Sequence, residues 1–522
     1  MSRLQQMVRS VAKVSPQFND YALRGFIKKE INNSHEFPAL VFREGFKLTT
    51  SADIELVDYE ILPPEDQVRF ELSSETNRNN RIARIPLTMT HMRLVRYRIR
   101  FADRYIYSHL YMPYMYEDML YMRDKRSMIR KVILEKTFSR VSDHNKDGIT
   151  VSPIRVNIPF YRRHTFKAIS YVSDEVYNHF IITAGLFHGP RKKKKICDTT
   201  ILHYMLARFG FSETLKRFGL NDHDVKFVEK ISNDTDHYDY FAANKTDKKG
   251  YEDPGLFLKV SRVLLGEDLA RKFIVNLLFV IHHSLYIQTL DNVYTNKGSI
   301  WRVILGSITF DEEDPFKAQS NAETNLRSAD SFIDPITKER FDYYGIPIND
   351  TYDLLVYIFL NIDEYVVQNV SQNLYNTRID VRNGLLVNTI ARAIFTNKLY
   401  VLARKSNIKE IDAKRAIKLS PMLFKQSISG RVDDDKDYVA PPSIVGDNFL
   451  LAGGLNKIRM GGKPEHRLHP SMLVVESVGV YAGKTIGKTG YINPFVPTDP
   501  YGTIVRPDYA SDIEAIMPFL PK

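Results

Sequence analysis

The chain has 522 residues, of which 43% are hydrophobic and 26% charged; this length favours several domains, and this composition excludes an intrinsically disordered chain. Lysine and arginine outnumber aspartate and glutamate by 73 to 62, so the formal net charge is +11. This excess favours a polyanion or an acidic protein as a partner, without choosing between them. Cys197 is the only cysteine, which excludes an internal disulfide and makes a reducing cytoplasm the natural setting.

The first predicted elements are strands between Phe46 and Tyr111. Apolar residues and arginines alternate near the end of this stretch, which predicts a strand with an apolar row on one face and guanidinium groups on the other. The apolar residues are Val95, Tyr97, Ile99 and Phe101, and the arginines are Arg96, Arg98 and Arg100.

Helical spacing dominates from Asp198 to Leu290. The most apolar stretch lies inside it, from Phe273 to Ile287. That stretch is too short to span a bilayer and is interrupted by Asn276, so it predicts a buried helix and no membrane as a partner. The segment from Gly306 to Asp350 is rich in acids, asparagine and serine, and is interpreted as an irregular insertion.

The C-terminal third begins with a predicted long helix between Arg382 and Arg404, which has an apolar stripe and a ring of cations. Beyond Leu419 prolines and glycines become frequent, which predicts short strands and structured loops. Loops of this kind on a large scaffold are frequent places for function.

Two short motifs resemble ligand loops and fail on spacing. Residues 143–148 copy the first half of a calcium loop, but Ile154 stands where a bidentate glutamate is needed, so an Asp-Gly turn between two strands is favoured. The pairs Gly483-Lys484 and Gly487-Lys488 lack the glycine that a phosphate loop places five residues earlier. A flexible loop with two ammonium groups facing nucleic acid is the favoured interpretation.

Catalytic and metal-binding patterns are missing from the sequence. We find no nucleophile elbow, no Ser-His-Asp order and no carboxylate triplet for catalytic Mg²⁺, and His282, His283 and the aspartates of 222–224 and 234–239 lack metal-ligand spacing. The predicted catalytic residues and metal ligands of this chain are therefore none, and the chain alone is expected to have no activity.

Three segments carry a family resemblance in their order along the chain. The strongest runs Gly453-Gly454-Leu455-Asn456-Lys457-Ile458-Arg459, then Arg467-Leu468-His469-Pro470-Ser471, then Gly487-Lys488-Thr489-Gly490-Tyr491-Ile492-Asn493-Pro494. It resembles the fork region of the β subunit of multi-subunit DNA-dependent RNA polymerases. Upstream, the basic run 191–195 and the segment 196–220 are similar to a segment of the polymerase β subunit in which a basic run precedes a helix, a glycine turn and a second helix. Between these two regions, 374–386 resembles a segment of the polymerase β subunit that is followed by a long helix.

The resemblance implies an α+β fold with protrusion-like and lobe-like modules followed by a fork. It extends to the split polymerases of giant, phiKZ-like bacteriophages, and favours the non-virion enzyme over the virion enzyme. The remainder of β is then expected on a separate polypeptide. The implied domains are 1–140 as the first part of the protrusion, 141–365 as the lobe, 366–430 as the return of the protrusion, and 431–522 as the fork-like region.

The same resemblance implies what the chain binds. Expected partners are a C-terminal β-like subunit, β′-like subunits, the DNA template and nascent RNA, with a promoter-specificity subunit left open. Catalytic Mg²⁺ would be held by the β′-like partner and none by this chain. The expected location is the host bacterial cytoplasm or a phage-made compartment within it, or the virion if the enzyme is packaged.

The candidate nucleic-acid-binding residues lie between 453 and 488, a stretch that contains six lysines and arginines but only two glutamates. Such a cluster gives salt-sensitive binding to phosphates without sequence preference. An alternative from another class is a phage structural or nucleic-acid-packaging protein, and a third is an ATP-dependent DNA-handling enzyme that uses Lys484 or Lys488. The candidate residues are Lys457, Arg459, Lys463, Arg467, His469, Lys484 and Lys488.

Overall fold

The structure is a computed structural model with mixed helices and strands, so the α+β prediction is confirmed. The described residues are the strands given below, a few isolated positions, and 35–47, 53–73, 93–112, 199–243, 255–283, 295–310, 314–330, 335–368, 407–419 and 503–514.

The described helices are, in chain order, α1 Glu36–Phe46, α2 Pro64–Ser73, α3 Ile201–Phe209, α4 Phe211–Arg217, α5 Arg262–Leu265, α6 Asp268–His283, α7 Gly298–Phe310, α8 Pro315–Ala329, α9 Pro335–Tyr343, α10 Thr351–Gln368, α11 Glu410–Ile417 and α12 Ala510–Glu514. The described strands are β1 Ile54–Ile61, β2 Arg93–Phe101, β3 Arg104–Met112, β4 Tyr114–Tyr116, β5 Met119–Met122, β6 Lys125–Ser127, β7 Lys131–Lys136, β8 Phe138–Arg140, β9 Val151–Ile158, β10 Arg162–Ser170, β11 Phe180–Ala184, β12 Val225–Val228, β13 Tyr238–Ala242, β14 Phe257–Ser261, β15 Thr377–Val381, β16 Leu450–Ala452, β17 Glu476–Ser477 and β18 Tyr491–Ile492.

The chain divides into two compact units, and one of them interrupts the other in sequence. Unit 1 comprises 1–137, 159–162 and 371–522, and unit 2 comprises 138–158 and 163–370. Unit 1 contains the sheets β1-β2-β3, β4-β5-β6 and β15-β7-β16-β18-β17, and unit 2 contains β11-β10-β9-β8 and β12-β14-β13.

The first sheet of unit 1 confirms the alternation predicted for β2. Val95, Tyr97 and Ile99 are fully buried, and α1 packs on this face through Phe42, whose ring centroid is 5.4 Å from that of Tyr97. The Tyr97 hydroxyl donates to the carbonyl of His35 over 2.8 Å, which satisfies the buried polar group. Burial raises the pKa of Tyr97 well above its ordinary value.

Helix α11 packs on this sheet although it lies more than three hundred residues further along the chain. The Ser108 hydroxyl donates to the carbonyl of Ile417 over 2.8 Å in a buried position, and Arg104 forms an ion pair of 2.9 Å with Glu410. Two parts of unit 1 that are distant in sequence are therefore joined by direct contacts.

Unit 2 is built around α3, which is buried along most of its length. Thr200 caps its N-terminus: the hydroxyl accepts a hydrogen bond from the amide of His203, and the His203 ring accepts one from the amide of Thr200. The predicted buried helix corresponds to α6, where Phe273, Ile274 and Leu277 have no exposed surface. No described helix is long and apolar enough to cross a membrane.

Asn276, which interrupts the apolar stretch in α6, has a structural role. Its side-chain oxygen accepts from the amide of Ile182 on β11 over 2.9 Å, and its amide nitrogen donates to the carbonyl of Lys272 over 2.9 Å. The buried amide thus ties the helix to the neighbouring strand with its polar groups satisfied.

The interpretation of 306–350 as an irregular insertion is wrong, because α8 and α9 occupy most of it. Helix α8 begins at Pro315, the first-turn position that proline favours, and Asp314 caps it by accepting from the amide of Phe316. Its buried stripe is formed largely by small residues, which the hydrophobic pattern did not reveal; the stripe consists of Ala318, Ala322, Leu326 and Ala329.

The small residues let α7 and α8 approach closely. A Cβ atom added to Gly306 would lie 2.0 Å from the carbonyl oxygen of Ala318, so only glycine fits at this crossing. Helices predominate among the described residues of 198–290, as predicted, but the short strands β12, β13 and β14 also form a sheet there, which the sequence did not predict. Strands of four or five residues are too short for periodicity to identify.

Candidate nucleic-acid interface

The described strands around the fork-like segment lie side by side in the five-stranded sheet of unit 1. Strand β16 ends at Ala452, immediately before the first glycine of the segment, and β18 begins at Tyr491, after its last glycine. Tyr491 pairs with Leu450 on one side and with Ser477 on the other, antiparallel in both cases. Both connecting segments of the fork-like region are therefore anchored in a single sheet.

The strand directions bring three of the four ends of the connecting segments to one edge of this sheet, while the end that enters β17 at Glu476 lies at the opposite edge. The chain leaves β16 after Ala452 and β17 after Ser477 towards the same edge, because both strands run antiparallel to β18. It enters β18 at Tyr491 from that edge. The segment that carries Lys457 to His469 therefore departs where the loop that carries Lys484 and Lys488 begins and ends.

The seven predicted nucleic-acid-binding residues lie outside the described residues. So do the basic run 191–195, residues 143–148 and nearly all of the predicted helix 382–404. The strands that flank 143–148 are described: β8 and β9 pair antiparallel, with Arg140 opposite Ile154, as an Asp-Gly turn between two strands requires. The cationic cluster itself stays a prediction.

The second resembling segment contains the predicted helix, glycine turn and helix. Helix α3 ends at Phe209, Gly210 follows with φ of +78°, and α4 begins at Phe211. A Cβ atom on Gly210 would lie 2.3 Å from the carbonyl oxygen of Asn296. Both the left-handed backbone and the close approach of a neighbouring loop require glycine here. In the third segment, Thr377 to Val381 forms β15, paired antiparallel with β7.

The arginine row of β2 is exposed, as its alternation predicted, and carboxylates on β1 neutralise it. Arg98 donates to Asp58 through Nε over 3.0 Å and through a terminal nitrogen. Arg96 pairs with Glu60, and Arg100 pairs with Glu55 over 3.0 Å. The hydrogen bond to Asp58 raises the pKa of Arg98 above its ordinary value. This row therefore presents little free positive charge to a phosphate.

Sequence reasoning missed the residues on either side of the arginine row. A bulge between Leu56 and Asp58 shifts the register of β1, so a regular alternation would not have aligned its acids with the arginines. On β3, the rings of Tyr107 and Tyr105 lie beneath Arg96 and Arg98, each 5.4 Å from the guanidinium carbon.

His109 lies at the end of this tyrosine row. Its ring stacks on Phe70 of α2 with 4.4 Å between centroids. Burial, followed by the nearby Arg96 charge, lowers the pKa of His109 to about 4. The imidazole is therefore neutral at physiological pH and acts as a packing group under α2.

Two aspartates of the cluster 234–239 have basic partners. Asp234 pairs with Lys259 and accepts from the Tyr240 hydroxyl; these hydrogen bonds lower the pKa of Asp234, and the bond to Asp234 raises that of Lys259. Asp239 pairs with Arg262 over 2.8 Å. His282 contacts the carbonyl of Ala242 through Nε2 over 2.9 Å. Over the described residues, no group of three acidic, histidine or cysteine side chains could hold a metal ion.

The fold and the candidate interface define a large α+β chain of two units. Unit 2 interrupts unit 1 in sequence, and unit 1 contains the strands that flank the basic fork-like segment. Comparison with known families gives a more specific assignment. The family described as non-virion RNA polymerase subunit matches residues 6–419, more than three quarters of the chain. The chain belongs to this family. It is therefore a subunit of a bacteriophage DNA-directed RNA polymerase, with other polymerase subunits as its partners.

The matched region covers unit 2 and most of unit 1, and it ends before the fork-like segment 453–493. The family assignment is thus independent of the residues that carry the strongest β-subunit resemblance. A comparison with curated proteins gives no significant match.

Proposed function

We propose that this chain is the N-terminal β-like subunit of the non-virion polymerase, which shapes the DNA cleft and the fork beside an active site supplied by partner subunits. The observation that carries the proposal is the interrupted architecture of unit 1. Its first part ends with β7, unit 2 follows, and the chain then returns as β15, which pairs with β7 from Thr377 opposite Lys136.

This arrangement is the one that a β-like order of modules requires. A protrusion-like module is begun, interrupted by a lobe-like module and completed by the returning chain before the fork. The second link between the two parts of unit 1 is α11, held on β3 by the buried bond from Ser108 to Ile417. The fork-like segment then belongs to the same sheet through β16, which runs parallel to β7.

The role proposed for the fork-like segment is positioning. Its lysines and arginines, anchored between β16 and β18, would neutralise phosphates of template and transcript with release of counterions. Contacts of this kind hold every sequence equally, as a moving polymerase requires. Paired arginines such as Arg98 are unsuited to this role, because their carboxylate partners would have to be displaced.

Catalysis is assigned to partner subunits. Nucleotide addition needs Mg²⁺ held by carboxylates, which activates the RNA 3′ hydroxyl and stabilises the departing pyrophosphate. In this proposal a β′-like subunit holds the ion, and the chain described here orients nucleic acid towards it. Family membership favours this class of function over the alternative of a structural or packaging protein.

The test is charge reversal in the reconstituted enzyme. The variant Arg459→Glu/Arg467→Glu is expected to assemble with its partners and to slow elongation on a preformed RNA–DNA scaffold. The defect should grow between low and moderate salt, because fewer phosphate contacts remain. Elongation rate and complex lifetime are measured on the same preparation.

The matched control reverses two exposed charges of unit 2, Lys230→Glu/Lys317→Glu. It changes the net charge equally and should leave elongation unchanged. Equal effects of the two double variants would mean that the change in net charge, and not the position of the arginines, causes the defect. Normal elongation and salt sensitivity in Arg459→Glu/Arg467→Glu would refute the assigned fork while leaving family membership intact.

A further inference from the structure

The outer face of the sheet β1-β2-β3 carries three parallel rows of side chains, which we name the charged sheet face. One row is acidic, one is basic and one is aromatic. The face consists of Glu55, Asp58 and Glu60 on β1, Arg96, Arg98 and Arg100 on β2, and Tyr105 and Tyr107 on β3.

Strand register places these rows on one side of the sheet. Asp58 pairs with Arg98, and Arg98 pairs with Tyr107, so the three side chains form one line across the strands. The neighbouring line of Tyr97 and Ser108 points to the opposite side and is buried. The sheet therefore has a core face, on which α1 and α11 pack, and a charged face whose arginine and tyrosine side chains are about half exposed.

The charge of this face argues against nucleic acid as its ligand. Each arginine has a carboxylate partner, and with Asp53, 3.5 Å from Arg100, four carboxylates accompany three arginines. The whole chain carries a net charge of +11, so an acidic excess here departs from the general trend. A phosphate backbone would be repelled by the outer acidic row and would gain few free cations.

The composition of the face instead suits a protein partner. Tyr105 and Tyr107 are 53% and 44% exposed, and tyrosine and arginine are the residues that most often anchor protein interfaces. The guanidinium groups of Arg96 and Arg98 are each held between a carboxylate and a tyrosine ring, so little conformational freedom remains to be lost on docking. Phe70 of α2 stacks on His109 at the end of the tyrosine row.

We infer that the charged sheet face docks a basic segment of another subunit of the polymerase. The inference rests on family membership, which supplies partner subunits, and not on the β-like assignment. Lysines or arginines of the partner would pair with the half-exposed acidic row on the edge strand β1, and its apolar side chains would cover the two tyrosines. The acidic excess of the face on a basic chain is what selects a basic occupant.

The sign of the effect of two opposite charges distinguishes a protein ligand from nucleic acid. Asp58→Ala and Arg98→Ala each remove one member of the same exposed pair. A basic segment loses an acidic partner in Asp58→Ala, which should release its subunit from the assembled enzyme with a dissociation constant raised about tenfold, whereas Arg98→Ala frees the Asp58 carboxylate and should retain that subunit. Nucleic acid bound at this face would respond in opposite directions, tighter for Asp58→Ala and weaker for Arg98→Ala.

The assembled enzyme is washed at stepwise salt concentrations, subunit stoichiometry is read by native mass spectrometry, and nucleic-acid affinity is measured on the same samples. Tyr105→Ser/Tyr107→Ser should release the same subunit, whereas the control Val263→Ser/Phe316→Ser, which removes two exposed apolar side chains of unit 2, should not. Asp58→Asn keeps the shape of the side chain, and thermal unfolding of each variant verifies the fold. Opposite effects on nucleic-acid affinity, or full retention of every subunit in all variants, would overturn the inference.

Discussion

The Ser108 hydroxyl donates a buried hydrogen bond of 2.8 Å to the carbonyl of Ile417, a residue 309 positions away in the chain. This bond joins β3 to the end of α11 and thus connects the part of unit 1 that precedes unit 2 with the part that follows it. The pairing of β7 with β15 makes the same connection through the backbone.

We expect Ser108→Ala to loosen α11 from the sheet. The substitution leaves the Ile417 carbonyl buried without its donor, which costs about 1–3 kcal/mol. Hydrogen exchange measured by mass spectrometry should show faster exchange in the peptide covering 407–419. The matched control is Ser73→Ala, since Ser73 makes the same type of bond, to Phe70, at an exposed helix end. An unchanged exchange rate in Ser108→Ala would mean that this bond does not hold α11.

Gly306→Ala should destabilise unit 2, because the added methyl group meets the backbone of Ala318. Overpacking of this kind costs about 1–3 kcal/mol. Trp301, the only tryptophan, is buried on the same helix and reports the transition by its fluorescence. For comparison, Gly219→Ala adds a methyl group where no atom lies within 4 Å, at a φ of +75°, so it costs only about 1 kcal/mol for the left-handed backbone. Equal denaturation midpoints for the two variants would contradict the close helix crossing.

Acidification should weaken unit 1 through His109. The folded-state pKa of about 4 lies below the value of 6.5 for a free imidazole, so the unfolded chain binds the proton first as pH falls. Stability from the neutral ring is complete above pH ~6.5 and is lost between pH ~6.5 and ~4. The loss is about 1–2 kcal/mol, because a partly exposed ring is screened by solvent.

The measurement compares thermal unfolding of wild type and His109→Gln at neutral and mildly acidic pH. The wild type should lose more stability on acidification than the variant does, and the difference between them cancels the other titrating groups. The variant His223→Gln, which replaces an exposed histidine of unit 2, is measured in parallel as a control for the substitution itself. Identical pH dependence of wild type and His109→Gln would show that this ring stays accessible to protons in the fold.

Much of the fold was predictable where the buried side chains are large and apolar, because these residues give a clear hydrophobic pattern. The alternation around Tyr97 predicted β2 and its two faces, and the apolar run around Phe273 predicted α6. Helix α8 was missed because its buried stripe is mostly alanine, which carries little hydrophobic signal. The acidic row was missed because the bulge after Leu56 sets its register, and a bulge depends on pairing that one strand does not reveal.

The candidate site divides in the same way. The order of resembling segments predicted a polymerase subunit, and the family match confirms that coarser conclusion. The glycine turn at Gly210 was predicted from the family resemblance, and the structure shows why glycine is required there: φ is positive and the Asn296 carbonyl is close. The common edge at which the chain leaves β16 and β17 and enters β18 was not predictable, because it depends on the pairing of Tyr491 with Leu450 and Ser477. The seven cations stay a prediction.

The most direct test of the account is the distance between the fork-like segment and the catalytic metal in the assembled polymerase. Fe²⁺ replaces Mg²⁺ in the active centre and reduces added hydrogen peroxide there to hydroxide and hydroxyl radicals. The radicals cleave nearby polypeptide, and the cut positions are mapped by mass spectrometry. The account predicts cuts in this chain within 453–493. Cuts confined to other subunits, with 453–493 intact in an active complex, would contradict it.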